Sequence, residues 1–143
     1  MNWSIVTEED LRGTVPGEVL SAVRALAVPG QADPVAGALA EAVRVTRAAV
    51  AAGNALEHDF ATVPGSLRGL TARLAGFALT ERLQIELTAD QRVTRAADTA
   101  RLERLRAGRE RVEAADRPLQ TGGGVVTVAP GDQGNGRGEL RGI

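Results

Sequence analysis

The stretch from Asp33 to Gly53, DPVAGALAEAVRVTRAAVAAG, leaves its backbone little choice. Asp33 suits an N-cap, because its carboxylate can accept from the free amides of a first helical turn. Pro34 is preset for the first helical position, where no N–H is needed. Gly53 is a ready stop. Between them Val35, Leu39, Val43 and Val50 recur at helical spacing, with Ala42, Thr46 and Ala49 beside them. Glu41, Arg44 and Arg47 fall on other faces. The spacing predicts a helix of about nineteen residues, roughly 28 Å long. Such a helix must bury its stripe against other elements, which points to a layered helical fold.

The rest of the chain repeats this punctuation. Thr7 followed by Glu8, Glu9 and Asp10 has the form of a helix start, with carboxylates facing the positive end of the dipole, and Gly13 stops it early. Pro16 opens a second helix that spaces Val19, Val23 and Leu26 helically until Val28-Pro29-Gly30 ends it. NALEHDFATVPGS reads as a loop. From Pro64 to Ile85 a third helix is predicted. Leu67, Leu70, Leu74 and Phe77 form one face, and Leu79, Leu83 and Ile85 continue around the cylinder. A helix apolar on more than one side is central, or shared between a core and an interface. Thr88 and Gln91 match a capping box. The helix they open runs to Ala107, with Gly108 as its stop and Val93, Ala97, Ala100 and Leu105 expected inward. RERVEAADRP adds a turn or two at most, closed by Pro118.

The expected fold is therefore all-α: a small bundle over residues 1–118 with two to three long helices, then a flexible tail over 119–143. From Gly122 onward eight of twenty-two residues are Gly, too little apolar surface to offset the entropy of ordering. The exception is Val125-Val126-Thr127-Val128, a β-branched run with strand character. No internal repeat occurs.

Composition narrows the function. Hydrophobic residues make up 43 % of the 143, enough for the core of one domain. With two Phe, one Trp and no Tyr, packing rests on Leu, Val and Ala, and Ala lets helices approach closely. There is no cysteine, and His58 is the single histidine, which excludes disulfides, thiolate sites and His-rich metal sites. All seventeen cations are Arg, a bias that reads as GC-rich coding. The net charge of −1 argues against wholesale wrapping of nucleic acid. Its distribution is uneven: residues 1–60 carry −4 and residues 61–143 carry +3. That division suits a protein that associates with its own copies, and equally an ordinary mixed surface. The opening MNWSIVTEEDLRG has neither the basic nor the apolar run of a signal peptide. No stretch approaches the ~20 apolar residues of a membrane span. The expectation is a soluble protein made in a cytoplasm.

No motif carries catalysis. Gly122–Gly124 lacks the preceding strand, following helix and Lys of a phosphate loop. His58 sits between Glu57 and Asp59, but neighbours on a loop do not converge on one target. Glu86 and Asp90 straddle the Thr88 cap rather than sharing a face. Neither an enzyme nor a cofactor is expected. Residues 92–111 hold seven Arg against Asp98, Glu103 and Glu110. They read as a solvated face laced with i,i+3 pairs such as Asp98–Arg101 and Glu103–Arg106. If DNA passes close by, Arg95, Arg101, Arg104 and Arg106 are the candidates to touch phosphates. No aromatic residue stands among them for base stacking. The run Val125–Val128 on a Gly-rich tether suits addition to a partner's sheet edge.

The order of parts resembles a known family. TEEDL (Thr7–Leu11), a short helix, GQADPVAGALAEAVRVTRAAV (Gly30–Val50), VPGSLRGLTARLAGFALTERL (Val63–Leu83), a capped Arg-rich helix and a polar tail follow one another. This layout, over about residues 5 to 117, resembles the head–tail connector or head-completion (adaptor) proteins of tailed bacteriophages, in particular the Mu-like conserved group. The resemblance implies an all-α structural subunit of the virion neck, made in the bacterial cytoplasm. It implies a homo-oligomeric ring, usually twelvefold, beneath the portal protein, with the next tail or stopper protein below and DNA passing through the lumen. It implies no catalytic residues and no membrane. On that reading Leu79, Leu83 and Ile85 are the subunit-interface candidates. Val125, Val126, Thr127 and Val128 are the candidates for docking on the portal or a neighbour. The alternative, from the residues alone, is a small helical dimeric adaptor or regulator that binds protein or DNA through the Arg face of 92–111.

Overall fold

Capping places most helices where their residues ask for them. A computed structural model of the protein, describing residues 2–119, is mostly helical. Among the described residues five helices and one two-stranded sheet follow in the order β1 (Trp3–Ile5), α1 (Glu8–Arg12), α2 (Gly17–Ala25), α3 (Pro34–Val50), β2 (Thr62–Pro64), a 3-10 turn (Gly65–Leu67), α4 (Arg68–Arg82) and α5 (Ala89–Arg106). Asp33 caps α3 by accepting from the Val35 amide at 3.1 Å. Thr88 and Gln91 close a reciprocal capping box on α5 at 3.1 and 2.8 Å.

Helices α3 and α4 run antiparallel and form the centre. At the start of α3, Val35 and Ala42 meet Ala75 and Leu79 of α4, with Leu11, Val15, Leu20 and Val23 of the α1–α2 corner closing over them. The corner approaches closely because Gly76 has no side chain: a Cβ there would lie 2.8 Å from Thr14 Oγ1 and 3.0 Å from Val15 Cγ1. At the other end, Ala49 and Val50 meet Leu67 and Leu70, with Trp3, Leu102 and Leu105 around them. A buried Thr46–Thr71 hydroxyl pair at 2.9 Å links the two helices midway.

Three expectations are corrected. The sheet is an addition to the all-α fold: Pro64, expected at a helix start, pairs with Trp3 in an antiparallel ladder (Trp3↔Pro64, Ser4↔Val63, Ile5↔Thr62). On α5 the inward line is Asp98, Leu102 and Leu105, whereas Val93, Ala97 and Ala100 face solvent. Five residues separate Val93 from Asp98, about 140° around a helix, and the two leucines decide which line is buried. The segment after Gly108 is extended rather than helical. It crosses the body as a strap: Asn54 Oδ1 accepts from the Val112 amide, the Trp3 indole N–H donates to Glu113 O at 2.8 Å, and the Leu119 amide donates to Leu56 O at 2.6 Å. The chain thus stays on the body to the last described residue, Leu119.

Candidate interaction surfaces

Arg47 lies in the phase of Val43 and Val50 on α3, and the structure turns it inward, correcting its expected place on another face. It is 5 % exposed. Its guanidinium donates to three backbone carbonyls of the 57–62 loop: Glu57 O at 2.7 Å, Asp59 O at 2.9 Å and Thr62 O at 2.8 Å. It also stands 5.6 Å from the Trp3 ring centre and 5.7 Å from that of Phe60. Burial draws Arg47 below the ordinary arginine range, and the charges of Asp59 and Glu57 oppose that pull. An arginine stays charged all the same, so the contacts persist across ordinary pH.

This pinning shapes the first surface. Phe60 is held outward, 70 % exposed, and with Ile5, 52 % exposed, it flanks a groove floored by Val6, Leu39, Ala40 and Val43. The groove holds about 430 Å³ and is mainly apolar, with Arg44 at its rim paired to Glu41.

The second surface lies where α4 ends against α5. Ile85 and Leu87 line a cleft with Ala96 and Ala100, rimmed by Arg92, Glu86, Glu103 and the Glu81–Arg95 ion pair. Val93, 70 % exposed, stands on the adjoining face of α5. The two surfaces share no residue.

Of the three interface candidates, Leu79 is corrected. It is 1 % exposed and packs inside against the α1–α2 corner. Leu83 is half-buried on the same cluster, and Ile85 faces solvent. The sequence set them around one cylinder; α4 ends at Arg82, and Gln84 with φ 61° breaks the helical phase between Leu83 and Ile85.

The Arg candidates also separate. Arg95 pairs with Glu81, Arg101 Nε donates to Glu110 at 2.8 Å, and Arg104 stands 3.6 Å from the same carboxylate. Arg106 is exposed, with no ion-pair partner among the described residues. The expected i,i+3 pairs do not form: Asp98 turns inward to a bidentate bond with Arg73 at 2.7 and 2.9 Å, and Arg101 reaches past its own helix. His58 is exposed, its amide donating to Arg117 O, while its neighbour Glu57 is buried. Among the described residues no three His, Cys, Asp or Glu cluster to hold a metal. Val125–Val128 lie outside the described residues.

Sequence reasoning missed Arg47, Glu57 and the strap. Arg47's apolar phase was a signal for the first. The others depend on contacts across about sixty residues, which no local pattern carries. Comparison with protein-family profiles, with curated proteins and with solved structures finds no match.

Proposed function

We propose that the chain is a structural connector (adaptor) subunit of a phage or phage-like particle, forming a ring beneath the portal and joining it to the tail while DNA passes through the lumen. One observation carries the reading: a small helical protomer with two apolar, solvent-facing surfaces that share no residue. A closed ring needs two different patches on one subunit that fit each other, a heterologous contact, whereas an isologous dimer needs only one. Arg44 and Arg47 line the groove, while at the α4–α5 cleft Glu81, Glu86 and Glu103 stand against Arg92 and Arg95, so the local charges favour the same pairing. Ile85 and Val93 replace Leu79 as the interface residues on the second patch. Arg104 and Arg106, the less engaged candidates, are the ones to face DNA. Val125–Val128 serve as the docking segment for the portal or a neighbour.

The test is assembly. Sedimentation velocity and electron micrographs should show a ring that grows with concentration or forms on addition of purified portal. Phe60→Asp and Val93→Asp should each abolish the ring, and an equimolar mixture of the two should stop at heterodimers, because one intact pair of patches remains. A protein that stays monomeric at every concentration and ignores portal overturns the reading. The Arg-rich helix keeps the dimeric adaptor in view. Salt-dependent binding of duplex DNA by the isolated protein, without rings, would favour it.

A further inference from the structure

We propose that in the isolated protomer the Phe60 groove is occupied by the chain's own Val125–Val128 segment. The inference concerns the single subunit and stands whether or not the protein forms rings.

The first argument is the state of the sheet edges. Gly65 N–H donates to Asn2 O at 2.9 Å, which makes Asn2–Gly65 a hydrogen-bonded pair of the antiparallel ladder. Alternation makes Ser4–Val63 the next such pair and turns the N–H and C=O of Trp3 and Ile5 away from β2. Trp3 is fully buried, so Ile5 is where the outer edge of β1 opens to solvent, and its backbone groups have no partner among the described residues. The other edge is closed. The Thr62 amide donates to Asp59 O, the Thr62 carbonyl accepts from Arg47, and Pro64 has no N–H. A single open edge thus borders the apolar groove that Ile5 itself lines. A short extended segment can satisfy Ile5 while its alternate side chains enter the groove.

The second argument is where the chain leaves the body. Leu119 is bonded to Leu56, four residues before Phe60, and Pro118 bridges Glu57. Five residues, Gln120 to Gly124, lie between Leu119 and Val125, and together they span at most about 20 Å. A tether of that length gives a local concentration on the order of millimolar. The segment from Gln120 to Gly131 carries no charge, so it meets Arg44 at the groove without an ionic conflict. In a strand Val126 and Val128 share one face and Val125 and Thr127 the other, which matches an apolar floor below and solvent above.

Cysteine pairing tests this cleanly, because the chain has no cysteine of its own. In full-length protein, Ala40→Cys with Val126→Cys should form an intramolecular disulfide under mild oxidation, about tenfold faster than Ala97→Cys with Val126→Cys on the α5 face. Equal rates, or a bridge found only between copies, overturn the proposal. A second measurement needs no cross-link. Val126→Asp with Val128→Asp in the full chain should speed hydrogen exchange of the Ile5 amide by about tenfold, and unchanged exchange overturns it.

Discussion

The two ends of the α3–α4 pair are held by different physics. Where α3 begins, the interior is aliphatic, Leu11, Val15, Leu20 and Val23 closing over Val35, Ala75 and Leu79, and the polar contacts of Arg24 with Glu8 and Asp33 lie outside it, open to solvent. Where α3 finishes, an apolar patch around Trp3 and Leu70 is bounded by polar clamps. Arg47 gathers the 57–62 loop. Glu57 accepts from the Arg117 amide at 3.0 Å, its second carboxylate oxygen 3.6 Å from Arg117 Nε. Glu113 accepts from the Ser66 amide and hydroxyl at 2.6 and 2.7 Å. Truncating an aliphatic contact leaves a cavity that neighbours partly fill, but cutting a clamp leaves buried polar groups that nothing else can pair. The groove lies at the clamped end, so the surface offered to partners depends on the less forgiving interactions.

The largest test sets one end against the other. Arg47→Ala leaves the Glu57 and Thr62 carbonyls without their donor, while Asp59 O keeps the Thr62 amide and hydroxyl, and it removes a cation whose charge acts on Asp59 and Glu57; it should cost about 3–5 kcal/mol. Leu79→Ala at the aliphatic end should cost about 3 kcal/mol. Arg44→Ala, exposed and paired with Glu41 alone, should stay within about 0.5 kcal/mol. Urea unfolding read by circular dichroism measures all three. If Arg47→Ala fell near Arg44→Ala, the contrast between the ends would collapse.

The strap gives a smaller test, with pH as the variable. Burial pushes the Glu113 carboxyl up, but the Ser66 hydroxyl and amide and the charge of Arg101 outweigh it and leave Glu113 below the usual range. A carboxylate depressed on folding stabilises fully above its unfolded pKa, about 4.3, and that contribution is lost as pH falls through the lower folded value. Trp3 is the one tryptophan, and its indole N–H bonds Glu113 O, so its emission reports the strap. The emission should shift red below about pH 4. Glu113→Gln should cost about 1–2 kcal/mol at neutral pH and flatten that response. Asp10 is depressed as well: burial raises it, and the Thr7 amide and Arg68 more than compensate, so some acid sensitivity should remain. A red shift of the same size in the variant would mean that Glu113 does not fasten the strap.

The same division explains what could be read from the residues. The aliphatic packing was legible at both ends: the stripe Val35, Val43, Val50 and the face Leu67, Leu70, Phe77 repeat every turn, and periodicity is a local signal. Asp33, Thr88 and Gly108 marked their helix boundaries through the hydrogen bonds each can make. The polar clamps were not legible. Trp3 meets Pro64, Glu57 meets Arg117 and Ser66 meets Glu113 across roughly fifty to sixty residues, and nothing nearby in the chain announces such partners. On α5, Val93 and Leu105 both obey a helical spacing with some neighbour, so periodicity alone could not choose the buried line. Of the candidate interface, Ile85 was found at the surface, Leu79 was not, and Phe60 was passed over as a loop residue.

The smallest test compares how α4 and α5 end. Both close in the same double hydrogen bond. On α5 the Gly108 and Arg109 amides donate to Leu105 and Arg104 carbonyls. On α4 the Gln84 and Ile85 amides donate to Glu81 and Thr80 carbonyls. The motif needs a left-handed residue at its pivot, which Gly108 supplies at φ 72° without strain and Gln84 supplies at φ 61° against its own Cβ. That missing glycine is why the sequence carries α4 on to Ile85. Gln84→Gly should raise stability by about 0.5–1 kcal/mol, the relief of strain being partly offset by a freer unfolded chain. A rise of about 2–4 °C in Tm would report it. Gly108→Ala should move Tm down by a similar amount. If both changes lowered Tm, the Gln84 side chain would be contributing more to the α4–α5 corner than its backbone costs, and the two helix ends would differ in more than their pivots.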